Sequence, residues 1–589
     1  MKKKILVFVV MAALLITASV FAEVAKTHIS ETERALTGNE PLPNVPAYPY
    51  NPDLATDSPG IIMGTTWYDY QTNGSTGNRV AITDSNTIYV AWMNAYNYPP
   101  PPRHIFHNWR DSYGNWNFEM GLKVDDRPDG SAVAGYTTLD IYQGYRGAVA
   151  YHYTAPAYVG RLAVDAADYP GYGYFERFNI PNMFSGNEHI WPYIAVDRND
   201  RVHILMTYPA PAAGDPQDFI YVRSADGGQT WTTETVVDTI MTISAVIDAS
   251  PVSDKVVMGY CHPTTFENQW ENDIYYILSE DGISWDFRTG KVNVTQYERD
   301  DDSLWAYTDM DIIFDYNDNF HIIWEAQTID TEGYIQWNTR LFHYNSETEE
   351  INLIHMWPLT DYWIVGCDCG AWNRPICKMN LGVHSSNTLF ATWTQFDTLD
   401  CSNAGYANGE IYMSYTYDGT NWQEPINLTN SATPGCYPEE CDSDHWSSLA
   451  DAVNDTLHIL YINDKDAGGI PQTEGVATEN PVMYLAYPVD DLVGVDEEVN
   501  RPTNFNLNQN YPNPFNAKTN IAFELKEASP VLLEVFDLTG AKVTTLVDEF
   551  MSAGSHSITW NAENVASGVY FYKLEAGTSQ ETRQAVLIK

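Results

Sequence analysis

Short β-type bursts of apolar and polar positions fill the middle of the chain, and one arrangement of them keeps returning. A short strand leads into a turn of Asp, Asn or Gly, and a second, apolar strand then ends on an aromatic or other large residue. The copies span residues 80–92, 139–151, 194–206, 246–260, 312–324, 381–393 and 449–461, so their last residues lie 59, 55, 54, 64, 69 and 68 positions apart. The turns Asn199-Asp200, Asp318-Asn319 and Asn454-Asp455 accept the left-handed backbone that tight hairpins need. Strands such as Phe320-His321-Ile322-Ile323-Trp324 suit burial on one or both faces. Self-similarity at a long period marks a repeat architecture.

A second pattern follows several of these hairpins. It reads Ser224-Ala225-Asp226-Gly227-Gly228-Gln229-Thr230-Trp231, then Ser279-Glu280-Asp281-Gly282-Ile283-Ser284-Trp285, then Thr416-Tyr417-Asp418-Gly419-Thr420-Asn421-Trp422. These strings resemble the Asp-box, or BNR repeat, of sialidase-like propellers. The first has the full spacing, and the other two are one residue shorter between Asp and Trp. The structural set is Asp226, Gly228, Trp231, Asp281, Trp285, Asp418 and Trp422. The carboxylate can take amides of its own turn, glycine permits positive φ, and the Trp tucks between strands. The box is therefore a folding device.

Repeats of four strands predict an all-β fold, a seven-bladed β-propeller, or six blades if the irregular unit at 160–175 is not counted. The last unit supplies only three strands. An unassigned strand at 65–71 would complete it and lock the ring.

The two ends read as export signals. Lys2, Lys3 and Lys4 precede an apolar run and the small-residue site Val20-Phe21-Ala22, a secretory signal peptide over residues 1–22. That run is short for a span, which takes about 20 apolar residues, so no transmembrane span is expected after cleavage. Residues 23–60 form a Pro-rich segment, 61–489 the propeller, 490–509 an acidic linker, and 510–589 a small β-sandwich read from strand alternation. Within the sandwich, Tyr511-Pro512-Asn513-Pro514-Phe515-Asn516, Leu538-Thr539-Gly540, Ser567-Gly568-Val569-Tyr570-Phe571-Tyr572 and the final Ile588-Lys589 closely resemble the Ig-like C-terminal sorting domain of type IX secretion cargo. The resemblance implies transit through the periplasm, the type IX machinery as partner, and a secreted or outer-membrane surface location.

Charge narrows the partners. Lys and Arg number 31 against 78 Asp and Glu, a net −47, which repels phosphate backbones and argues against nucleic acid. The acids at 300–302 with Asp309 and Asp311, and Asp464 with Asp466, read first as solvated loops. Calcium is the cofactor they would take, and no metal site is assigned. Six of the seven cysteines, Cys367, Cys369, Cys377, Cys401, Cys436 and Cys441, cluster in one stretch, which suggests disulfides in an exported protein. Cys261 is then the buried free thiol.

The short turns and Asp-boxes are expected on one face of the ring. Long, individual loops at 93–103, 208–218, 262–273, 325–337, 396–410 and 464–480 fall on the other, which opens onto the central channel. Entries into the units add the candidate ligand-binding residues Arg79, His189, Trp191, Trp305, Asp309, Arg374, His445 and Trp446. Aromatic faces beside hydrogen-bonding groups suit sugar rings or peptide strands. Sialidase chemistry needs three arginines, a Tyr–Glu nucleophile pair and an Asp acid. The Phe/Tyr-Arg-Ile-Pro motif of that family is missing, and Asn373-Arg374-Pro375-Ile376 has the wrong order, so catalytic residues stay unassigned. The sequence points to a binder of an extracellular glycan or protein. A glycoside hydrolase on the same scaffold is the runner-up, and a structural or adhesive surface protein is third.

Overall fold

The computed structural model describes residues 26–28, 45–52, 56–95, 103–126, 133–154, 157–182, 188–210, 215–298, 304–329, 334–357, 367–489, 492, 506–507, 509–510, 512–525, 529–551, 554–562, 565–576 and 579–589. The expected signal peptide, most of the linker, the acids at 300–302 and parts of the long loops lie outside them. Met1–Pro488 and Val489–Lys589 form two compact units. Nearly every described element is a strand, and no described helix is long and apolar enough to cross a membrane.

In the first unit, antiparallel meanders follow one another along the chain. Their first strands are Val80–Ile82, Ala134–Tyr142, Ile190–Val196, Ala245–Ala249, Leu304–Phe314, Ile376–His384 and Ser443–Leu449. Each first strand packs on the next, and Thr456–Asp464 of the last meander returns to Val80–Ile82. The large residues that end the repeats, Trp92, Tyr151, Met206, Tyr260, Trp324, Trp393 and Tyr461, are all 1% exposed or less. The repeated sequence position is thus a repeated core position, where truncation to Ala typically costs about 2–5 kcal/mol.

Two expectations are corrected. The fourth strand of the last meander is Ile61–Thr66, antiparallel to Asn480–Pro488, and not residues 65–71. Trp67 and the residues after it leave the sheet and turn inward. The second meander is also regular, running Ala134–Tyr142, Arg146–Thr154, Tyr158–Asp165 and Phe175–Asn179. Its turn looked irregular because a longer loop is tied down by one buried carboxylate. Asp165 accepts from the Tyr89 hydroxyl at 2.7 Å, the Ala166 amide at 3.0 Å and the Gly171 amide.

The motif carboxylates also serve their own turns. Asp226 accepts the Thr230 amide at 2.8 Å, Asp281 the Ser284 amide at 2.7 Å, and Asp418 the Asn421 amide at 2.8 Å. Donation from the Ser284 and Ile283 amides holds the Asp281 carboxyl below its usual range. Gly228 has φ of 99°, and a Cβ there would come within 2.8 Å of Phe178, so only glycine fits. Trp231, Trp285 and Trp422 pack against the cores.

The second unit has a three-stranded sheet of Asn506–Leu507, Lys518–Leu525 and Gly554–Asn561. A four-stranded sheet runs in the order Lys542–Met551, Ser529–Asp537, Gly568–Ala576, Ser579–Leu587. Their inward residues, among them Phe523, Leu533, Trp560 and Tyr572, share one core.

Candidate functional site

Several candidate residues sit in or beside bulges that break the first strands, and Arg79, His189 and Arg374 lie just before those strands. Register shifts occur between Gly135 and Thr138, Ile190 and Tyr193, Ala306 and Met310, Cys377 and Asn380, and His445 and Ser448. In four of the five the bulge holds a non-glycine residue in left-handed backbone: Tyr136, Trp191, Lys378 and Trp446, with φ of 53°, 51°, 53° and 58°. Each such residue costs about 1–3 kcal/mol and survives only where surrounding contacts fix it. Bulges re-aim side chains, and here the same device recurs strand after strand.

Around Lys378 the chain assembles a dense charged group. Its ammonium lies 2.9 and 3.1 Å from the Asp309 carboxylate oxygens and 4.7 Å from the centre of the Trp446 ring. Arg79 donates to the Trp446 carbonyl. Arg374 donates to the Tyr307 hydroxyl at 2.5 Å, with its guanidinium 4.1 Å from the Tyr307 ring centre. The His445 ring lies tilted against Trp446, with ring centres 4.8 Å apart, and burial, then Lys378 and Arg79, hold its imidazole far below the usual value. Glu325 is fully buried beside this group and accepts the Thr308 amide at 3.4 Å. Burial and the neighbouring Asp309 push its carboxyl well up, against the pull of Lys378 and Arg374. Glu325 is thus biased toward its protonated form, while Asp309 faces the Lys378 ammonium.

The structure thus brings together Arg79, Asp309, Arg374, His445 and Trp446. Trp191 shares the bulge geometry and donates its amide to His152 at 3.1 Å. His189 instead contacts Glu234 at 2.5 Å, and Trp305 packs with Ile329 and Ile335. All eight candidates are 5% exposed or less. Lys378 was missed, although a cation inside the apolar run Ile376-Cys377-Lys378-Met379 of so acidic a chain was a readable signal. The acids Asp309, Asp311, Asp464 and Asp466, expected in solvated loops, are all buried, because Asp309 and Asp311 lie on the first strand Leu304–Phe314, Asp464 ends the strand Thr456–Asp464, and Asp466 sits in the packed turn after it. Among the described residues no group of three or more His, Cys, Asp or Glu is arranged to hold a metal.

The axis of the ring is occupied. Residues 67–79 are buried apart from a half-buried Asn78 and touch most meanders in turn. The Met93 amide donates to Gln71 at 2.9 Å, the Leu139 amide to the Asn78 carbonyl at 2.7 Å, and the Tyr193 hydroxyl to the Ser75 carbonyl at 2.8 Å. The Met310 amide reaches the Ser75 hydroxyl at 3.3 Å. A Cβ on Gly74 would come within 2.5 Å of the Ile243 carbonyl oxygen, which explains the glycine in this polar string. The channel expected from sequence is filled by the chain's own backbone.

Beyond this plug, at the turn ends of the first strands, lies a cavity of about 850 Å³ lined by Ile82, Asp84, Asp140, Asp248, Phe314 and Asp451 among others. Its carboxylates tie neighbouring strands together. Asp140 accepts the Val196 amide at 2.5 Å and Asp248 the Phe314 amide at 2.7 Å, while Asp311 nearby accepts the Leu381 amide at 2.7 Å. Burial pushes Asp140 up to about 6, Asp311 to about 7 and Asp248 to about 8.

Two disulfides join Cys367 to Cys401 and Cys436 to Cys441, and Cys261, Cys369 and Cys377 are buried free thiols.

Similar structures include the α-L-arabinanase of Penicillium chrysogenum, at 8% identity over 59% of this chain and 92% of that one, TM-score 0.38. The polysaccharide lyase Uly1 matches at 8% identity over 79% and 100%, TM-score 0.40. The α-L-arabinofuranosidase Arb93A of Fusarium graminearum matches at 9% over 74% and 99%, TM-score 0.37. Likeness of this degree bears on neither activity nor ligand. No curated protein matches the chain. Residues 509–589 match the family of secretion system C-terminal sorting domains, so the protein is cargo of type IX secretion, delivered to the cell surface or released.

Proposed function

We propose that the first unit is a seven-bladed β-propeller that binds an extracellular glycan at the bulged ends of its first strands. The observation that carries this reading is the repeated left-handed bulge. It turns Tyr136, Trp191, Lys378 and Trp446 out of the strand pattern, and sets Lys378 against both Asp309 and the Trp446 ring. Aromatic rings beside fixed donors and acceptors are the chemistry of sugar recognition. The short-turn motifs resembling Asp-boxes take no part, since their carboxylates are occupied by their own amides. The test is a glycan array on the exported protein, followed by calorimetry with any hit. Arg374→Gln should weaken binding at least tenfold with the circular dichroism spectrum unchanged. No glycan bound, with the protein multimeric in solution, overturns the reading in favour of a structural or adhesive role.

A second reading, glycoside hydrolysis, is favoured by one specific feature: two buried carboxyl groups in unlike surroundings. Burial pushes the Glu325 carboxyl up toward its protonated form, and Asp309 is paired with Lys378. Acid and base roles separate in this way when environments push two carboxyl groups apart. Glu325 would give its proton to the leaving oxygen and Asp309 would face the sugar. Turnover of a bound glycan, abolished by Glu325→Gln with binding kept, selects this reading. Binding without turnover rejects it.

A further inference from the structure

The stretch that carries Arg374 is bracketed by two unpaired cysteines, and their surroundings point to a bond between them. Cys369 and Cys377 are 2% and 0% exposed and belong to one small core cluster with Trp337, Phe396 and the Cys367–Cys401 disulfide. One side chain touches both residues. The Asn373 amide group donates to the Cys369 carbonyl at 3.0 Å, and its oxygen accepts from the Cys377 thiol at 3.9 Å. The two sulfurs also sense each other electrostatically. Cys261, by contrast, lies in a separate core.

We propose that Cys369 and Cys377 are joined as a third disulfide in the exported protein, closing the loop that presents Trp372 and Arg374. An exported chain meets an oxidising compartment, where neighbouring thiols pair. The step is thiol–disulfide exchange with a disulfide oxidant of that compartment. Both S–H bonds break, one S–S bond forms, and the oxidant's disulfide takes up the two electrons and two protons to become a dithiol. Burial holds both thiols well above their ordinary values, so the attacking thiolate is scarce once the loop has packed. The bond therefore forms as the chain folds after export. Its consequence is a fixed loop. Trp372 stands in left-handed backbone at φ of 62°, and Arg374 must meet Tyr307. A covalent clamp from 369 to 377 restricts both before any ligand arrives.

The experiment uses the full mature chain, refolded from the reduced state in a glutathione redox pair. It is then denatured without reductant and alkylated with N-ethylmaleimide. Intact mass should show one alkylated cysteine. Peptides cut before Asp368 and after Trp372 should contain Cys369 linked to Cys377 and alkylated Cys261. Three alkylated cysteines, at 261, 369 and 377, overturn the proposal, and so does either thiol joined to any other partner. In Cys369→Ser the alkylated count should rise from one to two. A melting series supplies an independent readout. Cys369→Ser and Cys377→Ser should lower Tm equally, with the double variant no lower than either single one. Additive losses would mean two separately packed thiols and would sink the idea.

Discussion

The two ends of the same first strands bury charge in opposite ways. At the bulged end, Asp309 lies against Lys378 within a group that also holds Arg374 and Arg79. At the turn end, Asp140, Asp248 and Asp311 face amides of neighbouring strands and, among the described residues, no cation, and burial raises all three. A buried carboxyl group must be matched by an opposite charge or carry a proton. The bulged end takes the first solution and keeps Asp309 paired with Lys378. At the turn end burial moves the carboxyl groups toward the second, and they act as struts between strands.

The largest test of this contrast breaks the ion pair. Lys378→Met leaves Asp309 buried and unpaired, which should cost about 3–5 kcal/mol and be read as a marked drop in the unfolding midpoint. Asp309→Asn in that background should recover part of the loss, because it removes the orphaned charge. Equal midpoints for Lys378→Met and the parent would show that Asp309 finds other support.

The turn end should respond to pH instead. A folded state that keeps a proton the unfolded chain releases is favoured at low pH. The contribution of Asp140, Asp311 and Asp248 is complete below about pH 4, the unfolded carboxylate range. It is then lost as pH rises through about 6, 7 and 8. Melting curves across that window should fall, and Asp248→Asn should flatten the fall by roughly 2–4 °C. A parent midpoint that climbs steadily from pH 4 to pH 8 would contradict the protonated struts.

The smallest effect belongs to the exposed turns. Asp281→Ala removes an acceptor for the Ser284 and Ile283 amides, yet water can replace it. The expected shift is around 1 °C or less, with glycan binding unchanged. Loss of binding in this variant would move the site to the turn face.

How legible all this was depends on the range of the forces involved. The hairpins were readable because apolar alternation and turn chemistry are local, and Trp92, Trp324 and Trp393 fell into the core as their repeat position required. The missing fourth strand was foreseen in kind but misplaced. The alternation does not reveal that the chain leaves the sheet after Thr66, since residues 67–71 look equally strand-like. Of the site, Arg79, Asp309, Arg374, His445 and Trp446 were picked as unusual residues entering the units. Their grouping around Lys378 was not, because it joins strands far apart in the chain.

Taken by itself, the sequence determined the export signal at the C-terminal end, the β-type repeats and the turn chemistry of Asp226, Asp281 and Asp418, all of which act over a few residues. Only the tertiary structure decided that residues 67–79 fill the axis and that the Glu325 carboxyl is buried and raised. It alone set Asp309 against Lys378 and Cys369 beside Cys377. Burial and charge pairing are properties of neighbours in space, and here those neighbours are supplied by ring closure.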